Sequence, residues 1–287
     1  MNEHTKTLEQ ELPFLKGEND KVAYQGYTCI GGRPEDQDCL AYDEANGRQM
    51  FAVCDGMGGH AGGCVASATA AKALVDSMRR QAEIVPTEEA IITAVNDANN
   101  AVYKKSQAEP RLRGMGTTLT LLVIDSQAAY VTHVGDSRIY QLRKGQKVFR
   151  TFDHSMVFEH VAKGELSEEE ARTHPRANVL SRAVGILPDV AASVTKLEYY
   201  ANDRFVLCCD GVWNSQPEAD IISMFTAHAD LETTIQTTRS TVEKIGNENG
   251  GQHDNHTMIV VDMKGDSKYR TSIFSRLRNL FKISNNS

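Results

Sequence analysis

Two apolar segments of the chain each run directly into an aspartate that is followed by glycine. Residues 51–54 precede Asp55, and residues 205–209 precede Asp210. A buried strand that ends in a carboxylate places a charge at the edge of the core. Such a charge is unfavourable unless a cation or a basic group lies beside it. The two strand ends therefore suggest a shared metal site.

Further carboxylates stand at predicted strand ends and turns, namely Asp36, Asp38, Asp136 and Asp254. Taken singly, each is most simply explained as a turn-capping residue. Their repeated position beside Gly, Arg or Asn weakens that explanation for the set. Acidic oxygen ligands without clustered Cys or His favour Mg²⁺ or Mn²⁺ over zinc or copper.

A glycine-rich segment, residues 56–63, follows the first of these strands and matches the G-x-G-x-x-A pattern of dinucleotide-binding proteins. The next predicted element is a second helix rather than a strand. Asp76, at the offset of a ribose ligand, lies inside the first helix, and no Gly-Lys-Ser/Thr follows. These features disfavour nucleotide binding. The glycines are better explained by a backbone that passes close to whatever Asp55 binds, with the Gly56 carbonyl as a further oxygen ligand.

Composition sets the broad class of protein. The chain has 287 residues, of which 40% are hydrophobic and 24% charged, and a net charge of -7. These values predict a soluble globular protein and argue against a general nucleic-acid surface. The six cysteines show no C-x-x-C spacing, which favours buried thiols over disulfides. The absence of a signal-peptide pattern and of a long apolar run predicts a cytoplasmic location.

Periodicity and turn residues predict an α+β fold in which short connections make the strands antiparallel. The predicted strands are 22–30, 39–43, 49–54, 117–124, 128–134, 137–142, 147–150, 194–199, 204–209 and 257–262. The predicted helices are 62–80, a segment opened by Thr87, a polar helical region within 154–190 with a capping box at Ser167 and Glu170, a segment opened by Ser215-x-x-Glu218, and 230–246. This order suits stacked sheets with helices on the outside.

Five motifs occur in a fixed order, and together they resemble bacterial metal-dependent Ser/Thr protein phosphatases of type 2C. They are Asp55-Gly56-Met57-Gly58-Gly59-His60, Gly116-Thr117-Thr118, Gly135-Asp136-Ser137-Arg138, Asp210-Gly211-Val212-Trp213 and Asp254-Asn255. The resemblance spans about residues 22–262. It implies an αββα sandwich, that is, two antiparallel sheets flanked by helix pairs. The catalytic domain would be 21–263, with a flap at about 153–190.

The resemblance also implies a site and a function. Asp55 would bridge two Mn²⁺ or Mg²⁺ ions, the Gly56 carbonyl would bind one, and Asp210 and Asp254 would complete the other. Asp136 would belong, with Asp210, to a weaker third metal site. The implied activity is hydrolysis of phosphoserine and phosphothreonine in proteins by a metal-activated water, without a phosphoenzyme, in a monomer that opposes a Ser/Thr kinase.

Other residues are assigned supporting roles by the same resemblance. Arg33 would hold the substrate phosphate, Gln37 and Asp38 would support metal-bound water, and Asn255 would lie in the outer shell. Gln37 replaces the commoner Glu, which removes one outer-shell charge. Met57 stands where eukaryotic members carry a His proposed as general acid, so the general acid is unassigned.

Two alternative functions stay open. A phosphatase of small phosphate esters would use the same chemistry in a closed pocket, whereas a protein substrate needs an open cleft. A catalytically inactive module that binds phosphoproteins would have no need of a full metal set, and the presence of all four motif aspartates argues against it.

The remaining histidines and Trp213 are predicted to be structural. We interpret His133, His253 and His256 as satisfied core or rim residues rather than ligands, because the expected metals prefer oxygen. His154 and His174 are expected to shape the flap, and Trp213 to pack.

The two ends of the chain are predicted to differ from the domain between them. Residues 1–20 form an acidic leader that we expect to be flexible, with a short anchor at 12–15. Residues 264–287 carry six Lys or Arg against one Asp, and their apolar residues share one helical face. This basic amphipathic tail could bind an anionic membrane surface or a partner, although packing on the domain or a solvated tail is the simpler expectation.

Overall fold

The computed structural model describes residues 14–58, 62–81 and 87–264. The strands are β1 (Phe14–Glu18), β2 (Val22–Cys29), β3 (Asp38–Ala45), β4 (Arg48–Met57), β5 (Gly116–Thr117), β6 (Leu119–Ile124), β7 (Ala129–Val134), β8 (Arg138–Arg143), β9 (Gln146–Arg150), β10 (Thr195–Leu197), β11 (Arg204–Cys208) and β12 (His256–Met263). The helices are α1 (Gly62–Gln81), α2 (Thr87–Ala108), α3 (Met156–Ala162), α4 (Glu168–Arg172), α5 (Asp210–Trp213), α6 (Glu218–Thr226) and α7 (Leu231–Glu248).

The strands form two sheets whose neighbouring strands are antiparallel. One sheet has the order β1-β2-β12-β11-β8-β9, and the other has the order β10-β7-β6-β4-β3, with β5 paired to β4. Apolar side chains of both sheets, such as Phe51 and Ile259, meet in one core. Helices α6 and α7 cover the first sheet, and α1 and α2 cover the second. This arrangement confirms the predicted αββα sandwich.

The alternation of side chains along β4 sets the position of the site. Phe51 and Val53 lie in the core between the sheets, whereas Ala52 and Cys54 lie in the core beneath α1 and α2. Because successive side chains of a strand point to opposite faces, Asp55 follows Phe51 and Val53 onto the side between the sheets. It therefore lies at the rim of the inter-sheet core.

Three local predictions need correction. Part of the predicted flexible leader, Phe14–Glu18, is strand β1, which pairs with β2. The helix assigned to Ser215 begins at Glu218 with Pro217 as its N-cap, while the Ser215 hydroxyl donates to the Val212 carbonyl. The region 154–190 contains two short helices, α3 and α4, rather than a mainly helical segment. The capping box at Ser167 is confirmed.

The predicted flap, residues 153–190, lies between β9 and β10, where α3 and α4 share a small apolar cluster formed by Val157, Phe158 and Ala171. Residues 1–13 and the tail from 265 to 287 lie outside the described residues, so the amphipathic tail stays a prediction. Across the described ranges, no helix is long and apolar enough to cross a bilayer.

Candidate metal centre

Asp55 is held at the end of β4 by the Gly-Thr-Thr segment of the second motif. Its backbone N–H donates to the Thr118 hydroxyl at 3.1 Å, and its carbonyl accepts from the Thr118 N–H and the Thr117 hydroxyl, both at 2.8 Å. On the Asp55 side, these three bonds use only the backbone N–H and carbonyl. The Asp55 carboxylate is therefore left to face the other carboxylates of the site.

Asp38 lies directly opposite Asp55 in the pairing of β3 with β4. One of its carboxylate oxygens accepts from the Cys209 thiol at 3.2 Å, and the other is buried without a hydrogen bond to any described residue. Single ligand atoms of Asp38, Asp55 and Cys209 lie within 4.8 Å of one another. Burial, with repulsion from Asp36 and Asp210, raises the pKa of Asp38 to about 7.

Asp210 begins α5, the short helix that follows β11. Its pKa is raised to about 6, mainly by burial and then by the Asp254 charge, while a hydrogen bond with the Asp55 carboxyl acts in the opposite direction. Burial also raises the pKa of Asp55 well above its usual range, with repulsion from Asp38, Asp210, Asp136 and Asp254. The structure thus brings together all four motif aspartates and Asp38.

Arg33, Asp254 and Asn255 lie at the outer edge of this cluster. Arg33 Nη2 forms an ion pair with Asp254 Oδ2 at 2.7 Å, and the two side chains are 49% and 43% exposed. The Asn255 side chain donates to the carbonyls of Ile30 and Glu35 and accepts from the Gln37 N–H. Asn255 therefore fixes the loop that carries Arg33 to Gln37.

The glycine-rich segment allows close backbone packing beside Asp55. The Gly56 N–H donates to the Gln37 carbonyl at 3.1 Å, and the Ser67 hydroxyl donates to the same carbonyl at 2.7 Å. A Cβ at Gly56 would overlap the carbonyls of Gln37 and Gly63. The described glycines therefore serve the approach of β4, α1 and the Gln37 loop. The expectation that they bring the backbone close to an ion bound by Asp55 stays a prediction.

Asp136 is positioned by contacts among buried motif residues that the sequence did not predict. Trp213 donates its indole N–H to the Asp136 carbonyl at 3.0 Å. The guanidinium of Arg138 lies 3.4 Å from the Trp213 ring and forms two hydrogen bonds, of 2.8 and 2.7 Å, with Asp153. Burial raises the pKa of Asp136 well above its usual range. Trp213 packs as predicted and also anchors the Asp136 backbone.

His154 connects the start of the flap to the turn that carries Asp136. Its backbone N–H donates to the Gly135 carbonyl at 2.8 Å, and its Nδ1 accepts from the Gly135 N–H at 3.3 Å. The ring stacks on His133 with 4.3 Å between centroids. Burial lowers the pKa of His154 to about 3, so the ring is neutral and can accept this bond.

The donor chemistry of the cluster fits a hard divalent cation. Carboxylate oxygens of like charge converge at the half-buried rim of the core, and one oxygen of Asp38 has no hydrogen-bond partner in the part of the chain that the structure describes. Among the residues that the structure describes, Arg33 is the only basic side chain that forms an ion pair with any of the five aspartates, and its partner is Asp254. Oxygen donors of this kind suit Mg²⁺ or Mn²⁺.

Comparisons with known proteins agree with this architecture. A model of the protein phosphatase 2C family matches residues 25–262. The serine/threonine phosphatase Stp of Listeria welshimeri is 31% identical over 230 residues, which cover 77% of this chain and 87% of that protein.

Solved structures give the same result. The serine/threonine phosphatase PstP/Ppp of Mycobacterium tuberculosis superposes with a TM-score of 0.75 at 29% identity, covering 85% of this chain and 100% of that one. The PstP catalytic domain in complex with two manganese ions gives a TM-score of 0.72 at 28% identity, covering 85% and 99%. The chain therefore belongs to the protein phosphatase 2C family, and the predicted enzyme class, a protein-serine/threonine phosphatase, is confirmed.

Proposed function

We propose that this protein hydrolyses phosphoserine and phosphothreonine in proteins with the help of two Mn²⁺ or Mg²⁺ ions. The observation that carries the proposal is a partly buried group of carboxylates, Asp38, Asp55, Asp136 and Asp210, none of which forms an ion pair with a described residue, with the Arg33–Asp254 pair at its exposed edge. Asp55, the Gly56 carbonyl, Asp210 and Asp254 would hold the two ions. Asp136 and Asp210 would form a weaker third site. Such ions supply an activated water and neutralise charge on the phosphoryl oxygens.

The residues of the chain then bind and orient the substrate. Arg33 is about half exposed and makes one ion pair, with Asp254, so its remaining N–H groups can bind phosphate oxygens. Asp38 accepts from Cys209 with one oxygen and can orient a water with the other. Gln37 holds Gly56 and Ser67 through its carbonyl, which keeps the loop of Arg33 next to Asp55.

The exposure of the site supports a protein-borne phosphate over a small ester. Arg33 and Asp254 are each more than 40% exposed at the edge of the aspartate group. An open edge admits a side chain that projects from a large substrate, whereas a small ester is usually enclosed. The proposed partners are therefore phosphorylated proteins and the Ser/Thr kinase that produces them.

The test is hydrolysis of p-nitrophenyl phosphate and of a phosphothreonine peptide with Mn²⁺, with EDTA and with Asp210→Asn. We expect turnover of both substrates with Mn²⁺, and its loss on chelation and in the variant. Asp220→Asn, an exposed aspartate of α6, is the matched control and should retain activity.

Each contrary outcome identifies a different error. Activity that survives EDTA would exclude the metal mechanism. Turnover of the small ester without any turnover of phosphopeptides or phosphoproteins would favour the small-ester alternative. Phosphopeptide binding without turnover would favour the inactive binding module.

A further inference from the structure

A second group of ligand-type side chains lies behind Asp254 and Asn255. It consists of Cys29 at the end of β2, Glu243 in α7, and His253 and His256 on either side of the two motif residues. The Cys29 thiol donates to Glu243 Oε1 at 3.0 Å, and His256 Nε2 lies 2.9 Å from the same oxygen. Ligand atoms of these three residues all lie within 4.8 Å of one another.

His253 is the unsatisfied member of this group. Both of its ring nitrogens are buried, and neither makes a hydrogen bond to a described residue. Its Nε2 lies 3.5 Å from Glu243 Oε2, on the other side of the carboxylate that Cys29 and His256 contact. The sequence-based interpretation of a satisfied histidine therefore fits His256 and not His253.

The helix that carries Glu243 is adapted to the His253 ring. Gly246 lies one turn further along α7, and a Cβ at that position would overlap the ring. Glycine inside a helix is less favourable than alanine by about 1 kcal/mol. Gly246 therefore makes room for the His253 ring, although a glycine at this position lowers the stability of α7.

The surroundings suit a bound ion. Tyr27 Oη lies 3.0 Å from His256 Nδ1 and so fixes the orientation of the ring, as residues behind metal ligands commonly do. Cys29 and His256 are buried, whereas the Glu243 side chain is 32% exposed and provides a path from solvent. A thiol, two imidazoles and a carboxylate form a donor set typical of Zn²⁺.

We propose that Cys29, Glu243, His253 and His256 form a second metal site that binds Zn²⁺ and is separate from the aspartate group. Tetrahedral ligands of zinc lie about 3.5 Å apart, so the contacts of 2.9 and 3.0 Å need to open by about half an ångström. His253, which lies outside the group of three within 4.8 Å, needs to move from its place beside Glu243 Oε2 towards the ion. Binding releases the Cys29 thiol proton, and the His256 proton moves to the Nδ1 that faces Tyr27. The ion would join β2, α7 and β12 directly behind Asp254.

The test uses Co²⁺ as a spectroscopic substitute for Zn²⁺ in the full-length, metal-stripped protein with excess Mg²⁺. Cobalt bound to a thiolate absorbs in the near ultraviolet, and oxygen ligands do not produce this band. We expect the band to saturate at one equivalent and to be removed by one equivalent of Zn²⁺. It should be absent in Cys29→Ser and retained in Cys209→Ser, the control cysteine beside Asp38.

His253→Gln provides a second variant in case Cys29→Ser does not fold. It should weaken Zn²⁺ binding at least 10-fold in a competition with a chelating indicator, and should remove the rise in Tm that Zn²⁺ gives the parent protein. A folded parent protein without the thiolate band would overturn the proposal. A band that survives in Cys29→Ser would also overturn it, because the thiolate would then belong to another of the six free cysteines. A band that is lost in Cys209→Ser would overturn it as well, because the thiolate would then be Cys209 in the aspartate group.

Discussion

The buried and half-buried aspartates of this protein include two sets that differ in their counter-ions. In one set, each aspartate has an arginine partner within the fold: Asp153 pairs with Arg138, and Asp203 pairs with Arg143, with ion pairs of 2.7 Å. In the other set, Asp38, Asp55, Asp136 and Asp210 form no ion pair with any described residue. The pKa values of this second set are raised, chiefly by burial.

This difference separates structural carboxylates from the candidate metal ligands. In a buried ion pair, the attraction between the two charges compensates the cost of removing them from water. Removing one partner leaves the other charge buried without that compensation. Unpaired carboxylates of like charge instead destabilise the fold until an external cation arrives. The structural carboxylates are therefore paired with arginine side chains, whereas the carboxylates that we propose bind metals have no arginine partner among the described residues.

Asp55→Asn removes a carboxylate from the unpaired set and should give the largest effect. With Mn²⁺, kcat/KM should fall by about 1,000-fold or more, because a proposed metal ligand, and with it the transition-state stabilisation that the ions would supply, is lost. In EDTA, the free energy of unfolding should instead increase, since a buried charge and its repulsions are removed. Urea unfolding and phosphatase assays measure both quantities. A variant that is active, or less stable in EDTA than the parent protein, would contradict the distinction.

Asp153→Asn tests the paired set and should act in the opposite direction. The Arg138 guanidinium would be left buried with a neutral partner, which should lower the free energy of unfolding by about 3–5 kcal/mol. Replacing both members, with Arg138→Met and Asp153→Leu, should recover much of this loss because no unpaired charge remains. A single variant as stable as the parent protein would show that Arg138 is compensated by other contacts, such as the Trp213 ring.

The pH dependence of metal-free stability should report the unpaired set directly. The folded pKa values of Asp38 and Asp210, about 7 and about 6, lie above the usual value of about 4. Between pH 4 and pH 7 the folded state thus binds more protons than the unfolded state. The stability that these groups contribute is present below pH 4 and is lost as pH rises to about 7.

The comparison of Asp38→Asn with the parent protein isolates this effect from histidine titration. In EDTA, the stability gained by Asp38→Asn should grow by about 2–4 kcal/mol between pH 4 and pH 7. Saturating Mn²⁺ should remove the pH-dependent gain, because the carboxylates are then held ionised. A difference that stays constant with pH in EDTA would mean that Asp38 titrates normally.

The fold and the aspartate group could be predicted because their signals are local. Alternating apolar residues defined the strands, and each of Asp55 and Asp210 follows its own strand directly. Strand β1 was missed because it has only five residues, about half of them polar. It is ordered by pairing with β2 and by contacts such as the hydrogen bond from Lys16 to Glu232. Ser215 matched a capping box, but Glu218 instead pairs with Lys147 and Arg150.

Contacts between distant parts of the chain gave no local signal. Arg138 and Asp153 are separated by a hairpin, and the only hint of their pairing is an arginine at the start of a strand that carries Ile139, Tyr140 and Leu142. Cys29 and Glu243 are 214 residues apart and meet only because α7 covers β2. A histidine beside Asp254 could be noted in the sequence, but its lack of partners depends on burial that only the tertiary structure shows.

Arg33 forms an exposed ion pair and should give the smallest effect on stability. An ion pair of this exposure contributes at most about 1 kcal/mol, so Arg33→Ala should shift the free energy of unfolding by no more than that amount. If Arg33 binds phosphate, kcat/KM should nevertheless fall by about 10- to 100-fold, the value of one or two charged hydrogen bonds. Arg33→Lys should recover part of the loss because the positive charge stays. The recovery should be incomplete because lysine lacks the bidentate guanidinium.

Arg80→Ala is the matched control for this substitution. Arg80 in α1 forms a similarly exposed ion pair with Asp97, with a distance of 2.9 Å, but is not among the candidate site residues. Its removal should have the same small effect on unfolding and no effect on kcat/KM. If both variants lose activity equally, the loss reflects surface charge rather than a phosphate contact. A selective loss in Arg33→Ala would place a substrate-binding residue at the exposed edge of an otherwise unpaired carboxylate group.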